Sequence, residues 1–427
     1  MAYVPVAFIL AGMTAYTVLA GADFGAGLWT LLAFGGSAGA RRIRDEARHA
    51  MGPVWEANHV WLVFVLVVAW TAYPVAYGSI TSTLAAPLLI AAIGIIFRGA
   101  AYALRGVADG SRSAEYLFAL SSVLTPFALG TAIGAIAIGR VPVGNAAGNP
   151  VTSWLNPASV LIGALAVVFS GYLAAVYLAA DSLRHAGGTD GGAQAAAGAY
   201  DRGLADAFRR RALAAGLVCG ALALAGLLVM RRSGLDLTHG AALALVCVSA
   251  AAGLATLLLC WRYRFELARV TAALAVAAVV VGWAAGQAPR FLPGLTVTQA
   301  AASRSTLVAL VIAVACGSVV LIPSLALLFS LYLRGRLDTP EHPAPEDSVP
   351  VAASSFAAEG AGGGAGGAGE GRGTASSTVR AWGGAAVLGL VAGTGLLVFA
   401  DASWAHLLGV ACLVLCAVSV FRITATD

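Results

Sequence analysis

Ala20-Gly21-Ala22-Asp23-Phe24-Gly25-Ala26-Gly27 lies inside an apolar run, residues 4–34, in which Asp23 is the one charged side chain. A carboxylate carried into a bilayer costs roughly 2.5–3.5 kcal/mol on insertion scales, so it turns toward protein or water and marks a functional position. Gly21 and Gly25 stand one helical turn apart, on a face where missing side chains let a second helix approach closely. The stretch predicts a membrane-spanning helix with a buried acid on its most tightly packed side.

The rest of the chain is of the same material. Hydrophobic residues make up 60% and charged residues 11%, against about 25% charged in a soluble domain. With roughly 20 apolar residues needed per helical span, eleven runs qualify: 4–34, 60–80, 84–104, 116–138, 159–180, 212–230, 241–261, 270–288, 307–333, 381–400 and 404–421. The expected fold is therefore an all-α, polytopic transmembrane helix bundle. Nine core spans occupy residues 1–336. A Gly/Ala-rich linker at 337–380 cannot form a core and reads as a flexible cytoplasmic segment. Residues 381–427 then form a transmembrane hairpin. The loop at 181–211, with its Gly187-Gly188 and Gly191-Gly192 pairs, reads as a second mobile segment. The first run is too long for a signal-peptide core and lacks a basic leader, so it is expected to remain as an anchor.

All 25 basic residues are arginine. Their placement carries orientation rather than a nucleic-acid surface: with the N-terminus outside, nineteen fall in inside segments and five in outside ones. This is the positive-inside pattern of a multi-pass protein of a bacterial cytoplasmic membrane, N-terminus out and C-terminus in. The pair Arg231-Arg232 is the exception. No nucleic-acid partner is expected. The cysteines Cys219, Cys247, Cys260, Cys316, Cys412 and Cys416 all fall in apolar spans and read as small core hydrophobes.

A second informative run is Gly52-Pro53-Val54-Trp55-Glu56-Ala57-Asn58-His59-Val60-Trp61-Leu62. Pro53 suits a first helical turn. Glu56, His59 and Val60 then share one face, as do Asn58 and Trp61. Trp55 and Trp61 suit the membrane–water boundary. Asp, Glu and His at membrane depth are what a proton relay requires, so Asp23, Glu56 and His59 are candidates, although Glu56 could simply favour a helix N-terminus. Arg98 is the arginine most clearly inside a span. It could neutralise a buried acid, hold a propionate or quinone oxygen, or snorkel to the cytoplasmic edge.

Axial haem ligation uses His, Met or Cys. Only His59, His239 and His406 lie near span ends, with Met13 and Met230 near or within spans, and no two histidines share a mid-membrane depth. A haem held by this chain's own side chains is not expected, and no metal site is. There is no P-loop, GxSxG or HExxH pattern, and without lysine no Schiff-base chemistry.

Taken in order, the two runs above, Phe97-Arg98-Gly99, Leu155-Asn156-Pro157, and Leu295-Thr296 followed by residues 300–307 resemble subunit II of the cytochrome bd quinol oxidases, including the cyanide-insensitive branch. The resemblance covers about residues 1–336. It implies a haem-ligand-free subunit of an enzyme that couples quinol oxidation to the reduction of O2 to water. The implied partner is a similar-sized subunit I that carries two b-type haems, haem d and the quinol site. A structural quinone in this subunit is known for some members, and a small single-helix accessory subunit is a further implied partner beside membrane lipid. The resemblance also implies that Asp23 and Glu56 support a proton path or haem-site integrity, and His59 and Arg98 join them as candidates on their own chemistry. Gly21, Gly25, Trp55, Asn58, Trp61 and Asn156 are left for packing or partner contact. Some members carry Asp in place of Glu56 and Gly-Asn-Gln in place of Ala57-Asn58-His59, and the tail beyond residue 336 exceeds the nine-helix pattern. The competing expectation is a proton-coupled secondary transporter using Asp23, Glu56 and Arg98. Transporters of that kind often show matched halves, and none is visible here. A third is a scaffold whose buried charges only guide assembly.

Overall fold

A computed structural model describes residues 1–33, 38–49, 52–103, 112–186, 192–235 and 237–333, with scattered positions between 385 and 419. The expected linker at 337–380 and nearly all of the expected hairpin at 381–427 lie outside the described residues.

The elements in chain order are helices α1 (Val4–Leu32), α2 (Ala38–His49), α3 (Gly52–Ala72), α4 (Pro74–Thr83), α5 (Ala85–Ala103), α6 (Arg112–Ala137), α7 (Pro157–Ala186), α8 (Gly192–Arg232), α9 (Gly240–Trp261) and α10 (Phe265–Gln287). Strands β1 (Arg290–Leu292) and β2 (Leu295–Thr296) follow, then α11 (Val297–Ala300) and α12 (Arg304–Leu333). Among the described residues, seven helices are long and apolar enough to cross a bilayer, and α4 with α5 makes an eighth candidate bent by 82°. The described apolar part of α3, Asn58–Ala72, is shorter than a full span.

Nine core spans were expected; the described residues give seven, or eight with the bent pair, and the breaks within the expected runs have local causes. The run expected to span 60–80 breaks at Tyr73-Pro74. Proline has no N–H and pushes the residue before it out of the helical region, and Tyr73 accordingly takes φ −137°, ψ 60°. The Ala72 carbonyl freed by the break accepts from the Ala302 N–H at 2.8 Å. The bend between α4 and α5 has a similar origin, because Pro87 cannot donate to the carbonyl of Thr83 four residues earlier. The mobile loop expected at 181–211 is instead mostly helical, split between the ends of α7 and α8. Leu204, Phe208 and Ala212, one helical turn apart, are buried, and that apolar stripe holds the first half of α8 against its neighbours.

The turn from α10 to α12 is a two-stranded antiparallel ribbon. Pro293-Gly294 supplies it with the residues of a tight turn, Gly294 at φ +76°. Of the cysteines, Cys260 is buried and Cys219 and Cys412 half-buried, whereas Cys247 and Cys316 are exposed on the surface of the chain. A helix in a bundle has a lipid-facing side as apolar as its core, so hydrophobicity alone could not separate the two.

Helix α1 is the hub: it packs on α3, α6, α7 and α10. Two cores lie along it. One gathers Ala22, Ala26, Leu173, Val176 and Phe208 with Ile43 and Ala47 of α2. The other joins Val68, Tyr73 and Leu84 to Leu292 of the ribbon and Leu307 of α12. The Tyr73 hydroxyl donates to the Ala2 carbonyl, and Gly12 faces Phe64 and Val65. These contacts run α1 and α3 antiparallel.

Candidate functional site

Asp23 and Arg98 meet in the interior, both fully buried. The Arg98 Nε donates to Asp23 Oδ2 at 2.7 Å and Nη2 to Oδ1 at 2.6 Å, a bidentate fork. Nη2 also donates to the Asp23 main-chain carbonyl at 2.5 Å, and Nη1 to the Ser122 hydroxyl at 2.5 Å. Ser122 in turn donates to the Phe118 carbonyl at 2.6 Å. The guanidinium lies 4.1 Å from the centroid of the Phe118 ring and 5.1 Å from that of Phe24, so aromatic faces add cation–π attraction on two sides.

Glycines one turn from each charge make this meeting possible. A Cβ on Gly27, four residues after Asp23, would sit 1.9 Å from the Ser122 hydroxyl and 3.1 Å from Arg98 Nη1. A Cβ on Gly94, four residues before Arg98, would sit 2.1 Å from Thr125 Oγ1. Three helices, α1, α5 and α6, thus converge at small residues, and lipid offers no competing driving force to separate them. On the other side of α1, Gly21 faces Leu173, and a Cβ on Gly25 would lie 1.9 Å from the Ser170 carbonyl oxygen. Trp29 fastens the same contact by donating to the Gly171 carbonyl at 2.8 Å. The acid is locked from both flanks.

Several chemical consequences follow. Both oxygens of the Asp23 carboxylate are engaged in charge-assisted hydrogen bonds to one guanidinium. Among the described residues, Asp23 and Ser122 together engage four of the five N–H donors of Arg98. Snorkelling is also excluded for a side chain with no exposed surface.

The other sequence-predicted residues are placed as follows. The side chains of Trp55 and Glu56 lie outside the described residues. Asn58 is fully buried, and neither atom of its amide has a hydrogen-bond partner among the described residues. His59 is half-buried. Trp61 packs edge-on against Phe64 with centroids 6.1 Å apart. Asn156 is remote from the Asp23 cluster: it caps α7, accepting from the Ser159 N–H at 3.0 Å and donating to the Ser159 hydroxyl at 2.9 Å. Its distance from Ser170, fourteen residues along the helix, is roughly 20 Å.

Sequence reasoning missed Ser122, Phe118 and Gly94. Ser121-Ser122 interrupts an otherwise apolar span, and Asp23 and Arg98 each have a glycine at helical spacing. Those were the available signals. Tyr16, two turns before Asp23, buries its hydroxyl without a hydrogen-bond partner among the described residues and was likewise passed over.

A comparison with known proteins bears on the whole bundle. The family described as cytochrome bd terminal oxidase subunit II matches residues 1–332. The chain belongs to that family. Among curated relatives, the subunit II chain is similar to "Cytochrome bd ubiquinol oxidase subunit 2" of Bacillus subtilis (strain 168), 30% identical over 115 residues; this is 26% of the chain and 33% of the relative. The chain thus spans about a third of that relative's length. Among solved structures, its fold resembles a chain of the bd oxidase from Geobacillus thermodenitrificans, with TM-score 0.60 at 11% identity. That likeness covers 78% of this chain and 98% of the other, and it speaks for the fold of this subunit II rather than for its chemistry.

Proposed function

We propose that this chain is the haem-ligand-free subunit II of a quinol-oxidising, O2-reducing respiratory oxidase in a bacterial cytoplasmic membrane. Family membership over residues 1–332 is the observation that carries the reading. Haems held by a subunit I partner supply the electron transfer and the reduction of O2 to water. This chain's part is to hold that partner's membrane domain in register and to admit protons from the cytoplasmic side. The arginine distribution supports an N-out, C-in orientation, in which the C-terminal end of α1 and the N-terminal end of α3 face the cytoplasm.

Within this reading the buried ionisable groups divide their work. Asp23 and Arg98 act as a fixed ion pair that sets the register of α1, α5 and α6. A buried pair is weak evidence for added stability, and setting register is its better-attested use. Glu56 with His59 provides proton access, and the buried amide of Asn58 on the adjoining face of the same helix, without a partner among the described residues, gives water a place to bind. A bound quinone in this subunit finds no support around Arg98. The transporter alternative needs Arg98 free for substrate, and its closed pairing with Asp23 speaks against that role.

The test is purification through a tag on this chain, followed by a reduced-minus-oxidised spectrum and quinol-driven O2 uptake. A haem-containing complex with uptake is expected. A colourless chain that purifies stably alone would overturn the assignment. Glu56→Gln should lower turnover while leaving the haem spectrum intact, and unchanged turnover would remove its proton role.

A further inference from the structure

Between α9 and α10 the chain turns through Arg262, Tyr263 and Arg264, and Tyr263 holds a left-handed backbone at φ +59°. Its N–H donates to the Cys260 carbonyl at 3.2 Å and the Arg264 N–H to the Leu259 carbonyl at 2.8 Å. These are the paired bonds of a Schellman cap, a position that glycine normally fills. Three contacts hold a tyrosine there instead. Its hydroxyl donates to Asp206 at 2.6 Å. The Arg209 guanidinium stacks 4.4 Å from its ring centroid, and Arg209 donates to the Cys260 and Trp261 carbonyls at 3.2 Å. A strained residue kept in place this firmly points to a use for its side chain.

The ring forms one wall of a cleft of about 410 Å³, which also has Leu183, Phe265 and Leu267 as apolar lining and Arg264 and Glu266 as charged lining. That volume falls within the range of ligand sites, about 300–1,000 Å³. Acids around the cleft are already engaged. Asp181 pairs with Arg269 at 2.6 Å, Glu266 reaches Arg269 at 3.8 Å, and Asp206 lies 4.0 Å from Arg209 while accepting from Tyr263. Arg262 and Arg264 are exposed and have no ion-pair partner among the described residues. The cleft lies at the turn joining α9 and α10, two helices long and apolar enough to cross a bilayer, beside the exposed Trp261, a placement that suits lipid headgroups.

Uncompensated cations above an apolar slot match a molecule with a phosphate at one end and an acyl chain at the other. We propose that this cleft seats an anionic glycerophospholipid, its phosphate on Arg264, which lines the cleft, with the exposed Arg262 of the same turn adding positive charge, and an acyl chain along Leu183, Phe265 and Leu267. Glu266 does not oppose it strongly, because Arg269 shares its charge. Free inorganic phosphate would leave the apolar wall unfilled. The proposal is independent of the enzyme reading and holds for the subunit whatever it catalyses.

The experiment is native mass spectrometry of the intact complex, purified through this chain and titrated with dioleoyl-phosphatidylglycerol or dioleoyl-phosphatidylcholine. Phosphatidylglycerol should be retained at least about 30-fold better. Arg262→Gln with Arg264→Gln should weaken phosphatidylglycerol by about 30-fold, the value expected for two arginines near an anionic surface, and leave phosphatidylcholine unchanged. An Arg231→Gln/Arg232→Gln control at the far end of α8 should behave as wild type. Leu267→Trp, which narrows the slot and keeps both arginines, should also lose phosphatidylglycerol and serves where the arginine variant does not assemble. Equal retention of the two lipids, equal loss in the control, displacement by inorganic phosphate, a partner subunit occupying the cleft, or wild-type binding by either cleft variant would each overturn the proposal.

Discussion

Replacing Arg98 with glutamine removes the guanidinium that is paired with Asp23. In the wild type two guanidinium nitrogens hold the two carboxylate oxygens at 2.7 and 2.6 Å, with no solvent reaching either side chain. Breaking a buried pair by deleting one partner typically costs about 3–5 kcal/mol, because the surviving charge is stranded. Asp23→Asn should cost a similar amount, leaving the guanidinium stranded among Phe24, Phe118 and Ser122. The double variant Asp23→Asn/Arg98→Gln strands no charge and keeps polar groups that can bond to each other. It should therefore recover more than half of the summed losses. Thermal unfolding of the detergent-solubilised complex, followed by loss of haem absorbance, measures all four corners of the cycle. Losses that add within about 0.5 kcal/mol, as independent sites do, would refute the pairing. The same double variant separates the two roles of the acid. If it assembles and still turns over quinol, Asp23 is a clamp; if it assembles with a normal spectrum and no turnover, the fixed-pair reading is wrong and the carboxylate itself carries protons.

Three further outcomes are expected. Gly25→Ala places a methyl 1.9 Å from the Ser170 carbonyl oxygen and 2.7 Å from the Ala174 Cβ, so it should force α1 from α7 and cost about 1–3 kcal/mol; Gly253→Ala in α9, with nothing within 4 Å, should not lower the unfolding midpoint. Asn156→Ala removes the cap of α7 and should cost about 1 kcal/mol, with quinol turnover per haem unchanged. The Tyr263 phenol, donating to Asp206, is pushed above its ordinary value of 10.0. A raised value means that its contribution is complete below that pH and is lost as pH climbs through the folded value. Asp206→Asn should bring one tyrosine's ultraviolet titration back down, and an unshifted titration curve would contradict the hydrogen bond.

Class and family were legible without coordinates, because apolar runs long enough to cross a bilayer and a lone acid within one of them are properties of the chain itself. Asp23 stood out because any charge in such a run is costly, wherever the helix lies. Gly21 and Gly25 stood out because their spacing puts them on one face. Arg98 was visible as an intramembrane charge, but three roles remained open for it. Choosing among them required knowing that α5 and α6 cross α1 at the depth of Asp23, which depends on Gly27 and Gly94 meeting side chains far away in sequence. Ser122 is one of many small polar residues in apolar helices, and only that convergence makes it a ligand of the guanidinium.

The break at Pro74 was readable in principle, since proline restricts its neighbour in any context, whereas the bend at Leu84 needed the orientation of α5 to give it a magnitude. The helical character of 192–211 was hidden by the glycine pairs just before it, and burial of Leu204 and Phe208 outweighed them. Local sequence determined that this chain is a bundle of membrane helices holding a buried acid, because insertion energy is summed residue by residue along each span. Only the tertiary structure decided that the acid is neutralised by Arg98 and that Tyr263 walls a basic cleft, because charge pairing and cavities arise from distances between segments that the linear order leaves free.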